Sequence, residues 1–147
     1  MAYSEPGRGD RYIDGVPDKL VPEASPETQP FWDGCAAGQL RLQRCGSCDA
    51  FYFPPRPFCP TCLSGEVAWE TVSGRARLHT YLINHRAAPG FEAPYAIAVV
   101  QLEEGPRMMT NIIGIENTPE NLVLDMALQV TFEPRGEMML PVFEPAR

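Results

Sequence analysis

Apolar and polar positions alternate along much of this chain, and breaks in the alternation divide it. Gly38-Gln39-Leu40-Arg41-Leu42-Gln43-Arg44-Cys45 has the two-residue period of a half-buried strand. Phe51-Tyr52-Phe53 supplies its return, so Leu40, Leu42 and these aromatics are expected to form a small core of their own. Val67–Val72 and Arg75–Asn84 predict one long strand bent at Ser73-Gly74. On it Ala76, Leu78, Thr80 and Leu82 share one face, and Arg77, His79, Tyr81 and Ile83 share the other. Tyr95–Leu102 predicts a buried strand, Arg107–Ile115 its return, and Ala127–Phe132 and Met138–Phe143 two more, joined through Glu133–Gly136. Thr118-Pro119-Glu120 predicts a short helix to about Leu124, with threonine as N-cap and proline at its first position. Five strands, the first bent, with a helix between the third and fourth describe an OB-like barrel; a small Greek-key sandwich gives the same strand count.

Before these strands the pattern is weaker. Residues 1–24 carry no hydrophobic period and are rich in Gly, Pro and charge, which predicts an extended arm. Ser25-Pro26-Glu27 reads as a helix start, with a hydroxyl N-cap and an acid in the first turn. That helix is expected over 25–37, stopping at Gly38, with Phe31 and Cys35 on one face and Trp32 beside them. It is too short to stand alone and must dock its aromatics. Cys35 is expected to be a small apolar filler.

Between strand and barrel lies the chemistry. Cys45-Gly46-Ser47-Cys48 and Cys59-Pro60-Thr61-Cys62 are two C-x-x-C pairs separated by ten residues, the spacing of a four-thiolate metal site. Turn-compatible residues inside each pair let both sulfurs face one ion. The intervening segment is too short and proline-rich for a helix, so a zinc ribbon over 38–66 is expected, followed by the barrel over 67–147. Zinc fits better than iron, because no motif suggests electron transfer. With all four positions filled by protein, the metal is structural. Disulfides would need an oxidising compartment, and a redox pair would need only one C-x-x-C.

Composition narrows the function. The chain has 147 residues, 44% hydrophobic, with 16 prolines and 12 glycines, which favours turns and short strands around one ordinary core. No apolar run approaches the ~18 residues of a membrane span, and the amino-terminal stretch does not resemble a signal peptide; a cytoplasmic protein is expected. The net charge of −7 is uneven: residues 1–35 balance to −4, 36–77 to +2 and 78–147 to −5. A local basic zone on an acidic protein suits a small phosphorylated ligand or an acidic partner surface. It does not suit bulk nucleic-acid binding, which neutralises many phosphates.

In order, Pro30-Phe31-Trp32, Gly38–Cys48, Phe53-Pro54-Pro55-Arg56 to Cys62, Val72–Arg75, Pro94–Leu102 and Glu104-Gly105-Pro106-Arg107 resemble the zinc-ribbon plus OB-fold proteins called "domain of unknown function 35". The resemblance covers roughly residues 26–133; one departure is Asp125, where the family usually has glycine before the fourth strand. It implies a mainly β chain with an N-terminal helix, a rubredoxin-like zinc ribbon and a five-stranded OB-fold barrel. It further implies an accessory subunit of a thiolase-like enzyme, in a heterotetramer around a thiolase dimer, with some relatives beside hydratase-like subunits. Such subunits help the partner fold or position acyl-CoA for thiolysis, acyl transfer or retro-aldol cleavage, including the shortening of steroid side chains. On that view Arg56, Arg75 and Arg107 offer guanidinium groups to CoA phosphates or partner carboxylates. Phe31, Trp32 and Tyr95 offer apolar contact.

A self-sufficient enzyme needs a nucleophile, a base and a group that stabilises developing charge. The two histidines, His79 and His85, have no recognisable acid or nucleophile beside them, and there is no G-x-S-x-G or phosphate-cradling loop. Two other readings stay open: a single-strand nucleic-acid binder, as ribbons and OB barrels elsewhere can be, and an independent acyl-CoA enzyme. The acidic balance and the single lysine, Lys19, weigh against the first; the missing machinery weighs against the second.

Overall fold

A computed structural model describes residues 12–13 and 16–147. Most of the arm expected over 1–24 therefore lies outside the described residues or in two short paired segments, β1 (Tyr12–Ile13) and β2 (Val16–Pro17). Beyond them Lys19 anchors to the body, its Nζ 2.9 Å from Glu133 Oε1 and 4.4 Å from the Phe91 ring centroid.

The helix α1 is shorter than the sequence suggests, Gln29–Ala36. Ser25 and Thr28 instead close a turn on each other, Ser25 N–H donating to Thr28 Oγ1 at 2.8 Å and Thr28 N–H to Ser25 O at 3.0 Å. Starting at Pro26 would set the Pro30 ring against the carbonyl four residues back, whereas starting at Gln29 puts Pro30 in the first turn, where its missing N–H costs nothing. Gly38, at φ 72°, ends it.

Two sheets follow. The first has the order β4-β3-β5, made of β3 (Arg41–Cys45), β4 (Phe51–Tyr52) and β5 (Val67–Thr71), all antiparallel. The second has the order β10-β9-β6-β7-β8, from β6 (Arg75–Asn84), β7 (Tyr95–Leu102), β8 (Arg107–Thr110), β9 (Ala127–Arg135) and β10 (Met138–Pro145). A parallel bridge between Ile112 and Phe143 draws the two edges together, so the five-stranded sheet curls into a half-barrel consistent with an OB fold.

The bent long strand does not form as one. Its first half, β5, pairs with β3 in the ribbon, and only β6 joins the barrel. The break is Gly74, at φ 72°: a Cβ there would lie 2.3 Å from Val130 Cγ1, while its carbonyl accepts from Val130 N–H at 2.9 Å. Only a residue without a side chain passes this crossing point unstrained.

Nor does β6 keep the expected alternation. The register against β7 shifts between Leu78 and Thr80, a bulge at His79 that gives the strand one extra residue. Ala76 and Leu78 point into the core as expected, but beyond the bulge Tyr81 and Ile83 pack inward, and Leu82 is 56% exposed.

The helix expected at 118–124 is one turn only. Thr118 accepts from Asn121 and Leu122 N–H, but Leu122 is buried while Val123 and Leu124 are exposed. Asn117 holds the loop, accepting from Ala96 N–H at 2.8 Å and donating to the carbonyls of Ile112 and Ile115. These tertiary bonds outweigh the local capping signal. Asp125, the departure from glycine, sits at φ 70°, its N–H 2.7 Å from Leu78 O. Aspartate tolerates this left-handed conformation better than most side chains, and glycine adopts it without strain. Asp125→Gly is therefore expected to stabilise the protein by ~0.5–1 kcal/mol, read as a higher urea midpoint. A lower midpoint would show that the Asp125 side chain contributes more than its backbone costs.

Leu40 and Leu42 do not form a separate core with the ribbon aromatics. They join Phe31, Cys35 and the barrel residues Leu78, Val100, Leu128 and Phe143 in one continuous cluster, with Phe51 and Phe53 against it. Only Cys45, Tyr52, Cys59 and the partly buried Val67 remain as a small group at the cysteines.

Candidate metal centre

The two C-x-x-C turns are near copies of each other. In the first, Ser47 N–H donates to Cys45 Sγ at 3.3 Å and Asp49 N–H to Cys45 O at 3.0 Å, while Cys45 N–H donates to Ala50 O at 2.9 Å. In the second, Thr61 N–H donates to Cys59 Sγ at 3.4 Å, Leu63 N–H to Cys59 O at 2.9 Å, and Cys59 N–H to Ser64 O at 2.9 Å. The residue after each pair closes its turn in the left-handed region, Asp49 at φ 61° and Leu63 at φ 64°. A leucine held there and 77% exposed is unusual, and the matching bonds around it are what over-determine that conformation.

The result is four sulfurs within 4.8 Å of one another. Cys45 Sγ lies 3.5 Å from Cys62 Sγ, and Cys48 Sγ 3.6 Å from Cys59 Sγ. These separations are far beyond a disulfide bond of about 2.05 Å, and all four cysteines are free. A tetrahedral zinc with Zn–S bonds of about 2.3 Å would set its sulfurs roughly 3.8 Å apart, so the donor set fits zinc with little adjustment. Backbone amides favour the ligating thiolate form at the first cysteine of each pair: those of Cys62 and Thr61 hold the Cys59 thiol down to about 6, and those of Cys48 and Ser47 lower Cys45. At the second cysteine of each pair the Ala50 and Ser64 amides are outweighed by burial and the neighbouring sulfurs, which push Cys48 up to about 12 and raise Cys62. Tyr52 covers the buried side, its hydroxyl donating to Arg56 O at 2.9 Å. Cys35 is elsewhere, 1% exposed in the core under the helix. Burial pushes its thiol up to about 12, so it is a packing residue.

The other candidate residues do not converge on one site. Phe31, expected to offer contact, is 4% exposed; it packs edge-on against Trp32 at 5.0 Å and against Phe53 at 5.4 Å, and so seats the helix. Trp32 is half-buried, with Nε1 enclosed and unpartnered. The Arg56 side chain is exposed on the ribbon, while its backbone N–H is pinned to the buried Gln43 Oε1 at 2.7 Å. Arg75 Nη2 pairs with Glu103 Oε2 at 2.6 Å. Tyr95 stacks on Phe91 at 4.7 Å and receives Asn84 Nδ2 at 2.8 Å. Arg107 Nε donates to Gln101 Oε1 at 2.9 Å. His79 is exposed at the bulge and His85 exposed where the β6–β7 loop begins.

Reading single positions missed one grouping. A cleft of about 670 Å³ lies where the starts of β6 and β9 meet the end of β10. Arg75, Arg77 and Arg147 line it, together with Glu103 and Glu144, over an apolar floor that includes Leu102 and Leu128. The signal in the sequence was the alternating Arg75-Ala76-Arg77, but nothing there indicated that Arg147 would join it.

A helix-braced four-cysteine ribbon feeding a curled five-stranded sheet defines the class: a zinc-ribbon/OB-fold protein. Residues 32–68 match the ChsH2 rubredoxin-like zinc ribbon domain, and residues 69–133 match the ChsH2 C-terminal OB-fold domain. The chain belongs to this ChsH2, or DUF35, family. A chain of the solved "Ltp2-ChsH2(DUF35) aldolase" superposes with a TM-score of 0.77 at 31% identity, over 86% of this chain and 100% of that one. A probable enoyl-CoA hydratase alpha subunit of Thermomonospora curvata is 37% identical over 79% of this chain. The 3-oxo-4,17-pregnadiene-20-carboxyl-CoA hydratase alpha subunit of Mycobacterium tuberculosis is 32% identical over 88% of it. This chain spans 37% and 43% of the lengths of those two relatives. Among the described residues, no helix is long and apolar enough to cross a membrane.

Proposed function

We propose that this chain is a non-catalytic accessory subunit of a thiolase-superfamily enzyme acting on acyl-CoA, in the cytoplasm, in a heterotetramer around a thiolase dimer. The reading is carried by one observation: the chain superposes over the whole length of a chain of the solved "Ltp2-ChsH2(DUF35) aldolase". The closed four-thiolate site supports it, since a metal held there has no open position for substrate and serves to hold the ribbon's shape. Arg56, Arg75 and Arg107 remain candidates for CoA phosphates or partner carboxylates, and Trp32 and Tyr95 for apolar contact. Steroid side-chain CoA esters are the substrate class suggested by the name of the Mycobacterium tuberculosis relative.

Co-expression with a thiolase-like subunit, followed by gel filtration, is expected to give one complex with acyl-CoA lyase or thiolase activity that neither chain shows alone. Separate peaks would overturn the reading. A second reading, an accessory role beside a hydratase subunit, is favoured by the two hydratase relatives; a complex with a hydratase-like chain, and none with a thiolase-like one, would select it.

A further inference from the structure

One short segment of the chain touches both the β6–β7 loop and the β9–β10 turn. Lys19 bridges them: its Nζ sits 4.4 Å from the ring centroid of Phe91, in the loop, and 2.9 Å from Glu133 Oε1, near the end of β9. The backbone fits as closely as the side chain. A Cβ on Gly90 would lie 2.4 Å from Lys19 N, and one on Gly136 would lie 3.1 Å from Val21 Cγ2. Residues 18–21 therefore run across the mouth of the barrel from loop to turn. These are the connections after the first barrel strand and before the last, between which OB folds elsewhere take up ligands. Here the chain itself fills that place.

Little besides Lys19 holds the segment down. No strand or helix includes residues 18–24, and their backbone makes no hydrogen bond to the described backbone. Leu20 is 82% exposed and Val21 48%, so apolar burial contributes little. Lys19, the single lysine of the chain, makes the one ion pair between this segment and the barrel among the described residues. The barrel side is satisfied without it. Arg135 Nη2 also reaches Glu133 Oε1, at 3.2 Å, its Cζ lies 5.6 Å from the Phe91 centroid, and Tyr95 stacks on that ring. When Lys19 leaves, neither the carboxylate nor the ring loses its last partner, so release strands no half-buried charge. Closed and open arrangements are both satisfied, as a two-state element requires.

We propose that residues 18–21 form a strap across the barrel mouth, latched by the Lys19 ammonium. Latched, the strap ties the β6–β7 loop to the β9–β10 turn and keeps the mouth filled. Released, it frees both connections together and uncovers the Phe91–Tyr95 stack. The device is built into this chain alone and holds whichever enzyme subunit accompanies it.

The test is native-state amide hydrogen exchange on the full chain purified with zinc. Each variant is first shown to melt within a few degrees of the wild type, and Lys19→Met stands in should Lys19→Gln fail to fold. Lys19→Gln removes the charge at similar side-chain length; it is expected to speed exchange at least tenfold in both the loop (88–94) and the turn (133–137). Lys19→Arg keeps a cation and is expected to stay within threefold of the wild type. Gly90→Ala lifts the strap with its Cβ and is read only at the turn, where it too should speed exchange about tenfold. Gly105→Ala, at φ 117° with nothing within 4 Å of its Cβ, should leave the turn within twofold, which separates backbone strain from loss of the strap. If Lys19→Gln leaves either segment within twofold of the wild type, the proposal is overturned: two unchanged segments mean the strap ties nothing, and one changing alone means Lys19 is only a local contact. A Lys19→Arg protein exchanging as fast as Lys19→Gln would show that charge does not hold the segment, and would overturn the latch.

Discussion

Cys48→Ser is expected to take the purified protein from about one zinc per chain to almost none and to lower its melting temperature by many degrees. Serine cannot supply a thiolate at neutral pH, and the remaining three cysteines lose the tetrahedral set that brings Cys48 Sγ to 3.6 Å from Cys59 Sγ. Zinc binding contributes ~10 kcal/mol or more to small modules of this kind, and little else holds the two turns together. The local hydrophobic group is Tyr52 and Val67 around two cysteines, supplemented by the 2.7 Å bond from Gly46 N–H to Glu66 O and an exposed 2.8 Å bond between the Ser47 and Ser64 hydroxyls. A strong chelator added to the wild type should reproduce the effect, whereas Cys35→Ala should leave the metal content unchanged because Cys35 lies in the separate main core. A Cys48→Ser protein with full metal content and unchanged melting would refute the ribbon assignment.

Phe143→Ala is expected to cost ~3–5 kcal/mol, the range for emptying a buried phenylalanine site. Phe143 is fully buried among the residues that join helix, ribbon and barrel. Its backbone also closes the half-barrel, donating to Asn111 O at 3.1 Å and accepting from Ile113 N–H at 2.8 Å. The cavity would open where the two sheet edges meet, so neighbouring strands cannot collapse into it without giving up these bonds. Urea denaturation checks the value; a loss below about 1 kcal/mol would mean the site relaxes freely and the bridge is not held by packing. The zinc content of the folded variant should be unchanged, since the ligands lie in a different cluster.

The ligand set was legible because a metal site states its requirements in residue type and spacing, and both C-x-x-C pairs are contiguous in sequence. Strand β7 was legible for a similar reason: a buried strand carries its pattern within eight residues. The helix boundary was not, because Ser25 and Thr28 satisfy each other in a turn that competes with capping. The one-turn stop after Thr118 was equally hidden, since it depends on Asn117 reaching Ala96 far away in the chain.

What the sequence determined by itself was therefore local: four thiolates at metal spacing, the glycine at position 74 where the chain must turn, and the apolar strands of a small barrel. The tertiary structure alone decided which sheet receives β5, which side of β6 faces out beyond His79, and that Arg75, Arg77 and Arg147 share one cleft. Strand pairing and bulges are settled by partners distant in the chain, and a shift of one residue exchanges the faces of every side chain that follows.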